Sequence, residues 1–147
     1  AELRDSLWAD GPDLIKPNQH ELATLVGRDL DTIDEVVAAA REVIAGGVGA
    51  VVCSLGADGA LYITATDVVH AEPARPVHGI PVGAGDILLA TFLAGGADRY
   101  ALAGAVAWSA ASVMLPGTEI PTPEQAAALE VIVHTSLDLD RTLVEVA

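Results

Sequence analysis

Lysine is nearly missing from this chain. Lys16 is the only one in 147 residues, and together with six arginines it faces 21 acidic residues, a formal net charge of −14. A chain this acidic repels nucleic acids and anionic lipid surfaces, so neither is an expected partner. The shortage also limits phosphate chemistry, which must rely on Lys16, the arginines, a metal ion or backbone N–H groups. Cysteine is reduced to Cys53, inside an apolar run, which excludes an intrachain disulfide. With no signal-peptide pattern at the start, a reducing cytoplasm is the expected compartment. Although 52% of the residues are hydrophobic, no window reaches the ~18 consecutive apolar residues that a membrane helix needs. A P-loop is excluded because no Gly-Lys pair is present, and a dinucleotide fingerprint fails where Leu88 stands in place of a glycine.

What is present is a core-forming pattern, and a chain of this length can bury roughly 70% of its unfolded surface as one domain. Asp13 to Lys16 reads as the end of a short strand. Asn18 then caps a helix to about Val26, with Leu22, Leu25 and Val26 on one face and Gly27 as its stop. Thr32 and Glu35 have the spacing of a capping box and lead a second helix, in which Ile33, Val36, Val37, Ala40, Val43 and Ile44 recur at helical spacing. The apolar run Ala50 to Leu55 suits a strand buried on both faces, so the order strand, helix, helix, strand implies a right-handed parallel crossover. After a Gly56–Gly59 turn, residues 60–64 and 68–71 read as two short strands forming an antiparallel edge. Residues 73–81 read as a proline-rich loop or extended crossing. Helices are expected from Gly83 to about Ala94 and from about Ala101 to Met114, and Thr122, Pro123 and Gln125 open a last long helix. Residues 1–11 read as the tail of a helix leading straight into a strand. The expected architecture is one α/β layer sandwich with a mostly parallel sheet.

Three stretches carry chemistry. In Val82-Gly83-Ala84-Gly85-Asp86, two glycines precede a helix, so the backbone can approach a ligand and its N–H groups, with the helix dipole, form an anion site. Asp86 in the first turn is placed either to take a proton from an attacking hydroxyl or to stabilise a helix start. Ser54-Leu55-Gly56-Ala57-Asp58-Gly59 lies at the carboxyl end of the buried strand, where ligands bind in open α/β sheets, and it also reads as an ordinary hairpin turn. In Lys16-Pro17-Asn18-Gln19-His20-Glu21 the lysine is either a phosphate contact or solvated surface, and Asn18 and Glu21 have capping-box spacing that needs no function.

In this order, and followed by Leu115-Pro116-Gly117-Thr118, these stretches are similar to the C-terminal half of the PfkB family of carbohydrate kinases, over about residues 13–123. Within the family the similarity is to the 1-phosphofructokinase and tagatose-6-phosphate kinase branch. The resemblance implies a ribokinase-like fold, of which residues 1–147 form the C-terminal nucleotide-binding portion. It implies transfer of a phosphoryl group from ATP, with Mg²⁺, to a hydroxyl of a sugar phosphate, foremost fructose 1-phosphate to fructose 1,6-bisphosphate. Asp86 would be the catalytic base and Gly83, Ala84 and Gly85 the anion hole. Lys16, Asn18, Ser54, Gly56, Asp58 and Gly59 would bind the nucleotide, Glu21 with Asn18 would organise Mg²⁺ through water, and the helix from Ala101 to Met114 would flank the adenine. The implied partners are ATP and a small sugar phosphate, with a homodimer for a full-length member. Several family strands and a lid precede this point, so the chain alone is expected to be catalytically incomplete; the alternative is a nucleotide-binding remnant or assembly module without catalysis. The chain departs from the family at Ile87, where a small residue is usual, and at Trp108 and Ser109, where small residues and glycine are common.

Overall fold

The computed structural model describes residues 11–77, 79, 83–116, 119–134 and 136–143. The helix tail expected at 1–11 lies almost wholly outside them, as do Gly117 and Thr118. Strand β1 (Leu14–Ile15) is followed by α1 (Gln19–Val26), which starts where Asn18 Oδ1 accepts the Glu21 N–H and the Glu21 carboxylate accepts the Asn18 N–H. This reciprocal box satisfies two of the N–H groups that a helix start leaves unpaired. Thr32 caps α2 (Ile33–Ala45) in the same way, but only half of the expected box is made. The Glu35 carboxylate reaches the Thr32 hydroxyl and the Asp31 N–H instead, and a β-bridge pairs Thr32 with Thr142.

Strand β2 (Ala50–Ser54) lies parallel to β1, with Leu14 opposite Ala50. A single 3-10 turn, Gly56–Asp58, then reverses the chain into β3 (Ala60–Ile63), which pairs antiparallel with β2 and with β4 (Val68–Pro73). The α/β class holds, but the sheet is mixed where a mostly parallel one was expected. Among the described residues only the β1–β2 ladder is parallel. The links on either side of β3 are too short for anything but hairpins, since a parallel return needs a crossover of about a dozen residues.

Helices α3 (Ala84–Ala94) and α4 (Leu102–Val113) follow as expected. The last helix does not. Thr122 makes its capping box with Gln125, yet α5 is only Pro123–Ala127, and the chain then enters β5 (Val131–His134). β5 pairs antiparallel with β4, His134 opposite His70, so β3 and β4 are interior strands and the order is β1-β2-β3-β4-β5. Valine and isoleucine favour the pleated surface, and sheet pairing outweighs the helical start.

The alternation of β2 explains its unbroken apolar run. Val51 and Cys53 face a core with α1 and α2, including Leu22, Val36 and Val43, while Val52 faces a second core with Leu88, Phe92, Leu102 and Val106 of α3 and α4. A strand between two helical layers has no polar side. Among the described residues, no helix is long and apolar enough to cross a membrane.

Candidate active site

The parallel β1–β2 pair brings two distant motifs together. At the carboxyl ends of the strands the Ser54 N–H donates to the Pro17 carbonyl at 3.1 Å, and Asn18 bridges to Ser54. Lys16 and Asn18 therefore stand beside the entrance to the Gly56–Gly59 turn, at the carboxyl edge of the sheet. That turn closes through the Leu55 N–H donating to the Gly59 carbonyl at 2.8 Å, with Gly56 at φ 61° and Gly59 at φ 85°. Both lie in the left-handed region that side chains disfavour, and a Cβ on Gly59 would also collide with the Ala71 carbonyl oxygen of β4.

The third motif arrives from the other helical layer. The first backbone bond within the start of α3 is the Ile87 N–H to the Gly83 carbonyl at 3.1 Å, so the N–H groups of Ala84, Gly85 and Asp86 lie ahead of the helical ladder. Ser109 of α4 donates its hydroxyl to the Ala84 carbonyl at 3.0 Å and ties this turn to the neighbouring helix. Opposite it, the Lys16 Nζ sits 2.8 Å from where a Cβ on Gly85 would be. An ammonium group and a helix N-terminus thus converge on one place, an arrangement suited to a strongly charged anion.

A cavity of about 790 Å³ opens here, with Lys16, Asn18, Ser54, Gly56, Gly59, Ala84 and Gly85 in its wall. Its volume is within the range of small-molecule and cofactor sites. Three stretches separated along the chain meet at a single concave surface.

Comparison with known proteins identifies the family. Residues 3–125 match the pfkB family carbohydrate kinase profile. The chain belongs to this family. It is 37% identical over 122 residues to the 1-phosphofructokinase of Rhodobacter capsulatus, covering 80% of this chain and 39% of that protein. Among solved structures it is similar to Escherichia coli phosphofructokinase-2 in complex with potassium, at 32% identity and a TM-score of 0.74, covering 86% of this chain and 43% of that one. It is also similar to ribokinase from Thermotoga maritima, at 25% identity and a TM-score of 0.68, covering 79% and 41%. The fold is ribokinase-like, and the chain spans less than half of the length of the curated 1-phosphofructokinases it matches.

In this pfkB-family chain the expected site residues separate into three groups. Those in the cavity wall have been named. Gly83 and Asp86 flank the wall at the start of α3, both exposed, and Glu21 is exposed on α1 with one carboxylate oxygen taken by the Asn18 N–H. Asp58 faces the other way. It is 5% exposed, its carboxylate accepts from Arg141 Nη2 at 2.6 Å, and its carbonyl takes His70 Nε2 at 2.7 Å. Asp58 does not join the cavity wall, and its carboxylate is engaged by Arg141.

Two family departures find places. Ser109 holds the Ala84 carbonyl, and Ile87 is half-buried, its own carbonyl accepting the Thr91 hydroxyl at 2.6 Å. Sequence reading missed Gln19, whose Nε2 donates to the Leu30 carbonyl at 2.6 Å beside the cavity, and Leu143, which reaches its wall. It also missed Arg141. No local signal marks any of the three. Cys53 is no nucleophile here, since burial pushes its thiol up to about 12.

Proposed function

We propose that this chain forms the nucleotide-binding side of an ATP-dependent sugar-phosphate kinase, with fructose 1-phosphate as acceptor and fructose 1,6-bisphosphate as product. One observation carries the reading: Lys16 stands over Gly85, so that the only lysine and the N-terminus of α3 share one face of the cavity. Phosphoryl transfer needs little covalent help from the protein and much positioning and charge neutralisation. The Lys16 ammonium and the N–H groups of Ala84 and Gly85 supply that neutralisation. Ser54, Gly56 and Gly59 let the rest of the nucleotide lie against backbone. Asp86, exposed in the first turn of α3, accepts the proton of the attacking sugar hydroxyl.

Mg²⁺ fits the donors present. Asn18 and Glu21 offer only hard oxygen atoms, and Glu21 is exposed with one carboxylate oxygen engaged in the helix cap, which leaves the other for a metal-bound water. When bound, the ion would neutralise charge on the phosphates. Family resemblance supports the same picture for compartment and assembly, a cytoplasmic enzyme that dimerises.

Titrating the chain with ATP and Mg²⁺ in a calorimeter tests the binding half. The catalytic half is tested by ADP release with fructose 1-phosphate, for the chain alone and supplied with the N-terminal half of a curated relative. Saturable ATP binding with sugar-dependent turnover in the supplied mixture is expected. ATP binding without turnover in either arrangement would favour the non-catalytic module, and no ATP binding would sink both.

A further inference from the structure

Behind the Gly56–Gly59 turn lies a charge cluster that the proposed reaction does not use. Arg141, beyond β5, donates Nη2 to Asp58 Oδ1 at 2.6 Å and to Glu72 Oε1 at 3.1 Å, while its Nη1 bonds Glu72 Oε2. His134 Nε2 meets that same Glu72 oxygen at 2.7 Å, and His70 stacks on His134 with ring centroids 4.9 Å apart. The ligand atoms of His70, Glu72 and His134 lie within 4.8 Å of one another, the spacing of a metal site. Two facts weigh against a metal. His70 Nε2 meets the Asp58 carbonyl, which can only accept, so that nitrogen carries a proton and offers no lone pair. The Glu72 carboxylate already grips a cation, the guanidinium, in a two-pronged pair.

The cluster is charged as it stands. Burial raises the Glu72 carboxyl, but hydrogen bonds from Arg141 and His134 outweigh it and hold the group below its ordinary value. Hydrogen bonding to Glu72, against the opposing effect of burial and helped by Asp58, holds Arg141 above its own.

Arg141 is itself anchored. Its carbonyl accepts the Ile33 N–H at 3.2 Å, the Leu139 carbonyl accepts the Asp34 N–H at 2.9 Å, and the Leu143 N–H donates to the Asp31 carbonyl at 2.8 Å. The segment after β5 is thereby docked on the start of α2, and Arg141 carries that fixed point across Glu72 to Asp58. Asp58 is held at two atoms, its carboxylate by Arg141 and its carbonyl by His70. A glycine-rich turn without such a hold must be ordered when ligand arrives, and that ordering weakens binding.

We infer that Arg141 is a positioning residue for the nucleotide loop, holding the back of the Gly56–Gly59 turn through Asp58 so that its front keeps the shape that receives ATP. The inference rests on the function proposed above. Its test joins two measurements on the full chain: amide hydrogen exchange at Ala57, Asp58 and Gly59 without ligand, and the Kd for ATP with Mg²⁺. Arg141→Ala should speed exchange at those amides and raise Kd by ~10-fold, equivalent to about 1.4 kcal/mol, with Arg141→Lys recovering part of both. Val43→Ala, a buried change at the far end of α2, serves as a control for lost stability and should leave both at wild type. Unchanged exchange at the turn in Arg141→Ala overturns the inference, and so does a Val43→Ala that weakens ATP binding as much. If the wild-type chain binds no ATP, the proposed function fails, and the exchange measurement still decides whether Arg141 holds the turn.

Discussion

The Lys16 ammonium stands 2.8 Å from the point where a Cβ would sit on Gly85. A side chain on Gly85 would displace only the end of a flexible lysine rather than backbone, so its effect falls on where the ammonium sits and not on the fold. β1 carries Lys16 there only because it runs parallel to β2 and ends at the same edge of the sheet.

Gly85→Ala should therefore cost little stability and much affinity. We expect a melting temperature close to wild type and ATP affinity weakened by ~10-fold or more, with Lys16→Met giving a similar loss, as removal of a charge-assisted contact would. Calorimetric titration beside thermal melts separates the two effects. Wild-type affinity in both variants would remove Lys16 from the anion site.

Asp86→Asn should keep the fold and the affinity for ATP while lowering kcat by at least ~10², the usual range for a general base. The comparison uses steady-state ADP release by the chain supplied with the N-terminal half of a curated relative. Near-normal turnover would leave Asp86 as a stabiliser of the start of α3.

The two left-handed glycines of the Gly56–Gly59 turn should behave differently. Gly59→Ala puts a Cβ into the Ala71 carbonyl and should destabilise the fold by at least ~2 kcal/mol in urea unfolding. Gly56 is exposed, so Gly56→Val should leave a cooperative transition while weakening ATP binding. Unchanged binding in Gly56→Val would make that turn purely structural.

Acid should weaken the chain in two stages. Burial holds the His70 imidazole below its ordinary value of 6.5, so the unfolded chain takes up that proton first and stability begins to fall as pH drops below 6.5. Glu72, held below its ordinary 4.5, contributes stability that is present above that value and lost as pH falls through its folded one. Melting temperatures followed from about pH 8 to about pH 3 should show both stages, and Glu72→Gln should flatten the lower one. A lower stage of the same depth in Glu72→Gln would assign it to other carboxylates.

Short-range rules made much of the fold legible in the sequence. The Asn18–Glu21 box, the start of α3 behind Gly83, and the limits of α4 before Pro116 follow from groups within a few residues of each other, where capping and backbone freedom act. The double-sided burial of β2 could also be read, because a strand between two helical layers has no polar face. Tertiary structure decided the rest. Val131–His134 is a strand because it pairs with β4, some sixty residues earlier, and local propensity alone left it as a continued helix. Asp58 lies in a turn whose glycines announce a ligand, yet its carboxylate turns away toward Arg141, 83 positions on. A carboxylate buried with 5% exposure needs a partner, and which cation reaches it depends on how the chain closes in space rather than on the residues beside it.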